Sequence, residues 1–260
     1  MNFFTNLDVV RQGVLICFSC LFISLFGMLL LRKIWPPKLR TTFTHIHGHM
    51  FGVIGIVYAV LIGAIAVGSW EKFKTAELIV FEEATTTLNM YHMASSLGPA
   101  HQNDIKNFIQ RYVDEVVEVE WPEMQKGIRP NIKSNILYSM NQYLSSIHIE
   151  NKTQEIYLPI LVHQLNKLEY LRGQRVFIAG STLNTAILVF MLLGGLLVIL
   201  TSILFGLEHS LGSNALITSM LSLVIGLVIT VIIGLDHPYQ GEISISLDPL
   251  KLALSSINKF

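Results

Sequence analysis

The apolar stretch GHMFGVIGIVYAVLIGAIAVGSW occupies residues 48–70 of the chain. Its 23 residues include no Asp, Glu, Lys or Arg. As a helix that rises about 1.5 Å per residue, it covers a hydrocarbon core of roughly 30 Å. The stretch therefore predicts a helix that crosses a lipid bilayer.

Three more uncharged stretches accompany it: residues 12–31, a stretch within 177–207, and residues 211–235. The basic cluster at 32–40 follows the first stretch, whereas a cleaved secretory signal would carry basic residues ahead of it. We therefore expect the first span to be retained. The sequence predicts an all-α polytopic membrane protein with four transmembrane helices in two pairs.

The interval between the two pairs of spans differs in composition and pattern. Charged residues return, and apolar residues recur at helical spacing. Predicted helices cover about 71–95, 102–121, 132–147 and 154–175. The expected organisation is thus two spans in 1–70, a helical soluble domain in 71–176, two spans in 177–235 and a C-terminal tail in 236–260. No helix-breaking residue follows Trp70 or precedes Phe177, so the second and third spans are predicted to continue into the domain as long helices.

Composition supports a membrane class and argues against nucleic acid as a partner. The chain is 52% hydrophobic and 14% charged, with mean hydropathy +0.53. Lys+Arg and Asp+Glu each total 18, so no basic excess is present to neutralise phosphates. The lipid bilayer is the partner that this composition predicts.

No group of residues predicts catalysis, a cofactor or a metal centre. Cys17 and Cys20 both lie in the first apolar stretch, which leaves the polar half without a thiol. His45, His47 and His49 are the nearest candidates for a metal site, but no acidic residue or cysteine lies beside them, so they are interpreted as interfacial polar residues. We expect a protein that is not an enzyme.

The acidic residues of the domain are predicted to lie on solvated helix faces. They are Glu82 and Glu83 after the second span, and the run Asp114, Glu115, Glu118 and Glu120.

The apolar interiors of the four spans hold no Asp, Glu, Lys, Arg or His. This absence argues against a proton-coupled pump, in which an ionisable group usually lies at depth. It is compatible both with a pore closed by apolar side chains and with a structural bundle. In the second span Ile56, Val60 and Ala64 are spaced at i, i+4 and i+8, so they form one stripe that could line a constriction or lie in a core.

The second span is also rich in small residues, which allow helices to approach closely in lipid. Such packing could occur within one subunit or between subunits. The glycines concerned are Gly48, Gly52, Gly55, Gly63 and Gly68.

The orientation of the chain in the membrane is predicted from the Lys and Arg residues that flank the spans. Four of them, at 32, 33, 38 and 40, lie in the loop between the first two spans, and seven flank the membrane on the other side. The total favours the domain and both termini in the cytoplasm, whereas the compactness of the short loop argues the other way. We follow the total count and expect the domain and both termini to lie in the cytoplasm.

Several local patterns occur in a characteristic order along the chain. They are Y-A-V-L-I-G-A at 58–64, W-E-K-F at 70–73, E-E-A at 82–84, E-W-P at 120–122, R-G-Q-R at 172–175 and L-D-H-P-Y-Q-G at 235–241. This series resembles the bacterial bestrophin-like membrane family, itself similar to the bestrophin anion channels. The resemblance covers about residues 45–250 and implies a bacterial inner membrane protein.

The resemblance implies a homo-oligomer, on the pattern of the homopentameric bestrophins, that passes inorganic ions through an apolar neck on the second span. The matching neck positions are Ile56, Val60 and Ala64. Bestrophins tend to place an aromatic residue at the last position, so Ala64 implies a wider constriction. A non-conducting membrane scaffold whose helical domain binds a partner is the alternative.

The resemblance also marks a set of signature positions without giving their roles. Arg172 and Arg175 lie near the membrane end of the last domain helix, and Asp236 follows the fourth span, so we expect either an ion pair there or contact with lipid headgroups. Pro238 and Gly241 are expected to shape the turn after the span. The signature positions are Trp70, Glu83, Glu120, Trp121, Arg172, Arg175, Asp236, Pro238 and Gly241.

Overall fold

A computed structural model describes residues 9–34, 37–206 and 210–257, with the side chains of all of these except 9–10 and 37–50. These residues form helices and connecting turns, with no strand in the part described. The helices are α1 Val9–Ile34, α2 Pro37–Met93, α3 Pro99–Glu115, α4 Trp121–Gln125, α5 Asn135–Ser146, α6 Lys152–Ala179, α7 Thr185–Phe205, α8 Leu211–Asp236 and α9 Asp248–Ile257.

The all-α architecture with four spans is confirmed. Four of the described helices are long and apolar enough to cross a membrane, and they are α1, the part of α2 from Phe51 onward, α7 and α8. By its internal contacts the chain divides into two compact units, of which the first comprises residues 1–71, 182–236 and 241–243. We call this first part the membrane unit.

Small residues bring the helices of the membrane unit together. A Cβ on Gly194 of α7 would lie 2.6 Å from the ring of Tyr58 on α2. One on Gly226 of α8 would lie 3.1 Å from the backbone of Cys17 on α1. Around these contacts the unit buries a cluster of apolar side chains, namely Met28, Tyr58, Met191, Val198, Ile199, Ile203, Ile225, Ile229 and Ile232.

The second compact unit comprises residues 72–181, 237–240 and 244–260, and we call it the helical unit. Its core is built by α2, α3, α5 and α6, with α9 added from the C-terminal segment. Leu250, Ala253 and Ile257 of α9 are buried in that core, and the hydroxyl of Tyr91 donates to the carbonyl of Ile257 at 3.0 Å. The segment predicted as a tail therefore contributes a helix to this unit.

The two predicted long helices have different outcomes. The prediction for the second span is confirmed, because α2 runs from Pro37 to Met93 without a break. The prediction for the third span is wrong, since α6 ends at Ala179 and α7 begins at Thr185. Gly180 caps the first helix, and the side chain of Asn184 accepts a hydrogen bond from the Ala186 N–H at 2.9 Å, which starts the second.

Candidate functional site

A cluster of buried charges lies in the core of the helical unit. Arg175 on α6 and Glu83 on α2 are both fully buried. The guanidinium donates from Nε to Glu83 Oε2 at 2.7 Å and from Nη2 to Glu83 Oε1 at 3.0 Å. Nη2 also donates to Glu120 Oε2 at 2.6 Å. One arginine therefore joins two carboxylates that are far apart in the sequence.

Arg172, one helical turn earlier on α6, extends the cluster to a loop. It donates from Nε to Glu120 Oε1 at 2.9 Å. It also donates from Nη1 to the carbonyl of Ile132 at 2.7 Å and from Nη2 to the carbonyl of Asn131 at 2.8 Å. Charge-assisted bonds of this kind are roughly twice as strong as neutral ones. Arg172 thus fastens the loop between α4 and α5 to α6.

Tyr112 on α3 completes the cluster by donating its hydroxyl proton to Glu83 Oε1. Burial raises the pKa of Tyr112 well above its usual value, and the negative charge of Glu83 raises it further. Burial alone would lower the pKa of Arg175, but the facing Glu83 raises it well above its usual value. The phenol stays neutral and the guanidinium stays charged, so the two arginines balance the two glutamates.

A local irregularity of the helix places Glu120. Between α3 and α4 the chain forms one turn of π-helix, Val116–Glu120, which buries both Val116 and Glu120. A π turn inserts an extra residue into the helical register and is frequent at functional sites. Here it directs Glu120 toward the arginines of α6 while Trp121, the next residue, is buried as well.

One expectation about these residues stays a prediction and another is wrong. The arginines pair with Glu83 and Glu120. Asp236 Oδ2 accepts from the Leu183 N–H at 2.8 Å, and an ion pair between Asp236 and the arginines stays a prediction. Glu83 and Glu120 are not on solvated faces, because the arginines offset the cost of burying them. Glu82 is exposed as expected and pairs with Lys167 at 3.2 Å.

The motif after α8 contributes a residue that the sequence did not single out. Tyr239 is buried in the helical unit with its ring edge-to-face against Trp121, at 5.6 Å between ring centres. The motif turns tightly: Gly241 has φ +74°, and the carbonyl of Pro238 accepts from the Ile245 N–H at 2.8 Å. The signal for Tyr239 was its place between Pro238 and Gly241, both signature positions.

The predicted stripe of the second span lies apart, in the membrane unit. Ile56 and Val60 are 68% and 69% exposed, and Ala64 is exposed beside them. A methyl group on Gly52, Gly55, Gly63 or Gly68 would meet no other part of the described chain within 4 Å. We call this side of α2, with its apolar stripe and its glycines, the open face. Trp70, the first signature position on this helix, is also exposed.

The chemistry available to these sites follows from their partners. Every charge of the buried cluster faces an opposite charge, so the cluster can position helices and a loop. Among the described side chains no group of three or more His, Cys, Asp or Glu is placed to hold a metal ion. The side chains of His45, His47 and His49 lie outside the described residues, so their interpretation stays a prediction.

Solved structures share this fold. A bacterial bestrophin homologue from Klebsiella pneumoniae, in a point-mutant form, matches with TM-score 0.68 at 14% identity, over 94% of this chain and 96% of that chain. The same homologue, in a structure phased on zinc, gives TM-score 0.66 at 13% identity, over 93% and 96%. A variant of a protein named only as a membrane protein gives 0.69 at 12%, over 94% and 96%. At these identities the likeness establishes the fold.

Sequence comparison establishes the family. No curated protein matches the chain significantly. The model of the Bestrophin-like domain matches residues 18–250, which is most of the chain. Together with the four apolar helices and the shared fold, this match identifies a membrane protein that belongs to the Bestrophin-like domain family.

Proposed function

We propose that the protein is a homo-oligomeric ion channel, selective for anions, in which Ile56, Val60 and Ala64 line an apolar neck. The observation that carries this proposal is the open face of α2. Only 6% of the residues in the most apolar part of α2 are buried within the described chain, against 11% for α1 and 33% for α7 and for α8. The second span therefore has most of its surface left for other copies or for lipid.

The composition of the open face favours other copies over lipid. Lipid tails are as apolar as the side chains, so helices associate in a bilayer where small residues let their backbones approach. Gly55, Ala59 and Gly63 recur at four-residue spacing on this face, beside the apolar stripe. Copies that pack through the small residues would turn Ile56 and Val60 toward a common axis, and a ring of such side chains can gate by dewetting.

Exposed apolar side chains also occur outside the membrane unit. Leu78 and Phe81 on α2 and Tyr170 on α6 are more than half exposed in the helical unit. Apolar groups on a water-exposed unit are typical of interfaces between subunits. They support an assembly in which the helical units also associate, and we propose the cytoplasm as their compartment, within a bacterial inner membrane.

Halide flux from liposomes tests the channel. The wild type is expected to release chloride, and Val60→Trp to reduce the flux at least tenfold, because an indole would fill the neck. Val224→Trp is the matched control, since Val224 is an exposed valine on α8. It should leave flux unchanged.

The mass of the detergent-solubilised protein completes the test. A closed ring of subunits is expected for the wild type and for both variants. A monomer that releases no halide would refute the channel and favour a non-conducting scaffold. Equal loss of flux in the two variants would refute the assignment of the neck.

A further inference from the structure

The loop between α4 and α5 carries an unusual pattern of exposed residues. It reads K-G-I-R-P-N-I-K from Lys126 to Lys133. Lys126, Arg129 and Lys133 are exposed, and Ile128 and Ile132 are 53% and 63% exposed between them. No Asp or Glu occurs from residue 124 to residue 149. We call residues 126–133 the basic loop.

The basic loop is held in one conformation by its own backbone. At its start the N–H of Ile128 donates to the carbonyl of Glu123 at 2.9 Å, and the N–H of Gly127 donates to that of Met124 at 3.0 Å. This pair of bonds ends α4 in the way a left-handed glycine allows, and Gly127 has φ +73°. The two isoleucines are therefore displayed by an ordered turn.

The buried charge cluster holds the other end of the loop. Arg172 donates to the carbonyls of Asn131 and Ile132 while Glu120 fixes its guanidinium. Lys133, which follows directly, is thus attached to the core of the helical unit. The loop needs little further ordering before it binds a partner, which reduces the entropic cost of binding.

Two further contacts join the basic loop to the segments that lead into α7 and out of α8. A Cβ on Gly127 would lie 3.3 Å from the amide of Gln240, and one on Gly180 would lie 2.6 Å from Cδ of Arg129. Gly180 is five residues before the start of α7, and Gln240 is four residues after the end of α8. At ~3.6 Å per residue these connections span at most about 18 Å and about 14 Å. The start of α7 and the end of α8 can therefore lie no farther than these lengths from Gly180 and Gln240, the two residues beside the loop.

We propose that the basic loop docks on the anionic headgroups of the bilayer that the chain itself spans, with Ile128 and Ile132 inserted at the acyl boundary. Lys and Arg beside a negatively charged lipid surface attract it, and apolar side chains between them add burial in the interface. Because no Asp or Glu lies among the three cations, from residue 124 to residue 149, their charge complements that of anionic lipid. In this proposal the lipid headgroups are contacted by the cations of the basic loop and not by Arg172 and Arg175 themselves. Arg172 positions the loop.

A fluorescent label at Ile128 tests the insertion. In full-length protein with Cys17→Ala and Cys20→Ala, Ile128→Cys is labelled with an environment-sensitive fluorophore and placed in nanodiscs. In phosphatidylglycerol the label is expected to be blue-shifted and quenched by lipids spin-labelled near the headgroup. Tyr138→Cys is the control, since Tyr138 is also more than half exposed, on α5 of the same unit. Its label should remain in water.

The charges are tested by Lys126→Gln with Lys133→Gln, both on the loop surface. Each lost cation is expected to lower the ratio of inserted to withdrawn loop roughly fivefold. Arg111→Gln with Lys152→Gln removes two exposed cations elsewhere and should change nothing. Replacing phosphatidylglycerol with phosphatidylcholine, or adding 0.5 M salt, should release the loop as the two substitutions do.

Two results would overturn the proposal. One is a label at position 128 that reports water in phosphatidylglycerol, as the label at 138 does. The other is a blue-shifted label that spin-labelled lipid does not quench, which would indicate contact with protein. The outcome is independent of conduction, so a flux-silent protein with an inserted loop would refute the channel alone.

Discussion

Arg175 and Glu83 show why a buried ion pair is better understood as a positioning device than as a source of stability. Taking two charges out of water costs several kcal/mol per ion, and their attraction repays this only when the remaining donors and acceptors are satisfied. Here Glu83 also accepts from Tyr112, and Arg175 also reaches Glu120. The observed arrangement of α2, α3, α6 and the π turn satisfies all four groups together.

Removing one member should therefore cost much more than removing an exposed pair. Arg175→Met leaves Glu83 buried without its cation, and we expect a loss of about 3–5 kcal/mol in unfolding free energy. Lys167→Met is the control, because Lys167 and Glu82 are both about half exposed, and it should cost about 0–1 kcal/mol. Thermal unfolding in detergent measures both. Equal shifts in Tm would show that the buried pair has no special role.

Tyr112 makes the free energy of unfolding depend on pH in the alkaline range. Its pKa is raised above the ordinary value of 10.0, so the folded state holds the phenolic proton more tightly than the unfolded state does. This contribution is fully present below pH 10 and is lost as pH rises from 10 toward the folded pKa. Tyr112→Phe should accordingly show a smaller fall in Tm between neutral pH and the window above pH 10 than the wild type. Identical falls would contradict the assignment.

At the scale of helices, the buried charges could have been read from the sequence by following the core stripes. On α6, Arg172 and Arg175 continue the spacing of the buried Leu161, Leu165 and Leu168. Glu83 likewise continues the stripe of Ala76 and Val80 on α2. A charged residue on an apolar helix stripe indicates a buried partner of opposite charge. A count of the charges along the segment does not show this, because it ignores the helix face on which each residue lies.

Length and apolarity alone set the spans, so all four were predictable. Two other features could not be predicted from helical periodicity. The π turn that positions Glu120 depends on tertiary contacts with α6, and nothing in V-V-E-V-E specifies it. The break between α6 and α7 depends on the weak signals of Gly180 and Asn184, which the absence of proline concealed.

The contact of α2 with α7 provides a test at this scale. Gly194→Ala would place a Cβ 2.6 Å from the ring of Tyr58, whose hydroxyl donates to the carbonyl of Met191 at 3.3 Å and so restrains the ring. We expect a loss of about 1–3 kcal/mol from overpacking. Gly212→Ala on α8 meets nothing within 4 Å and should not destabilise. If thermal unfolding shows the two variants to be equal, the helices do not depend on this close approach.

At the scale of the whole molecule, the two units solve different problems. The helical unit pairs its buried charges within its own core, whereas the membrane unit leaves the open face of α2 uncovered by the described chain. Small residues at depth in a bilayer gain little from facing lipid and much from facing another helix. The uncovered open face of α2 is therefore the feature of the membrane unit that favours assembly of several subunits.

A bulky side chain on the open face should consequently disturb assembly without disturbing the subunit. Gly63→Leu meets nothing within 4 Å in the chain, so we expect unchanged helicity and Tm of the subunit together with a smaller mass in detergent. Gly212→Leu introduces the same side chain in open space on α8 and should keep the wild-type mass. Circular dichroism and light scattering measure the two properties separately. If Gly63→Leu retained the full mass, the small residues of α2 would face lipid, and the neck assigned to Ile56, Val60 and Ala64 would lose its support, because those side chains reach a common axis only when neighbouring helices pack beside them.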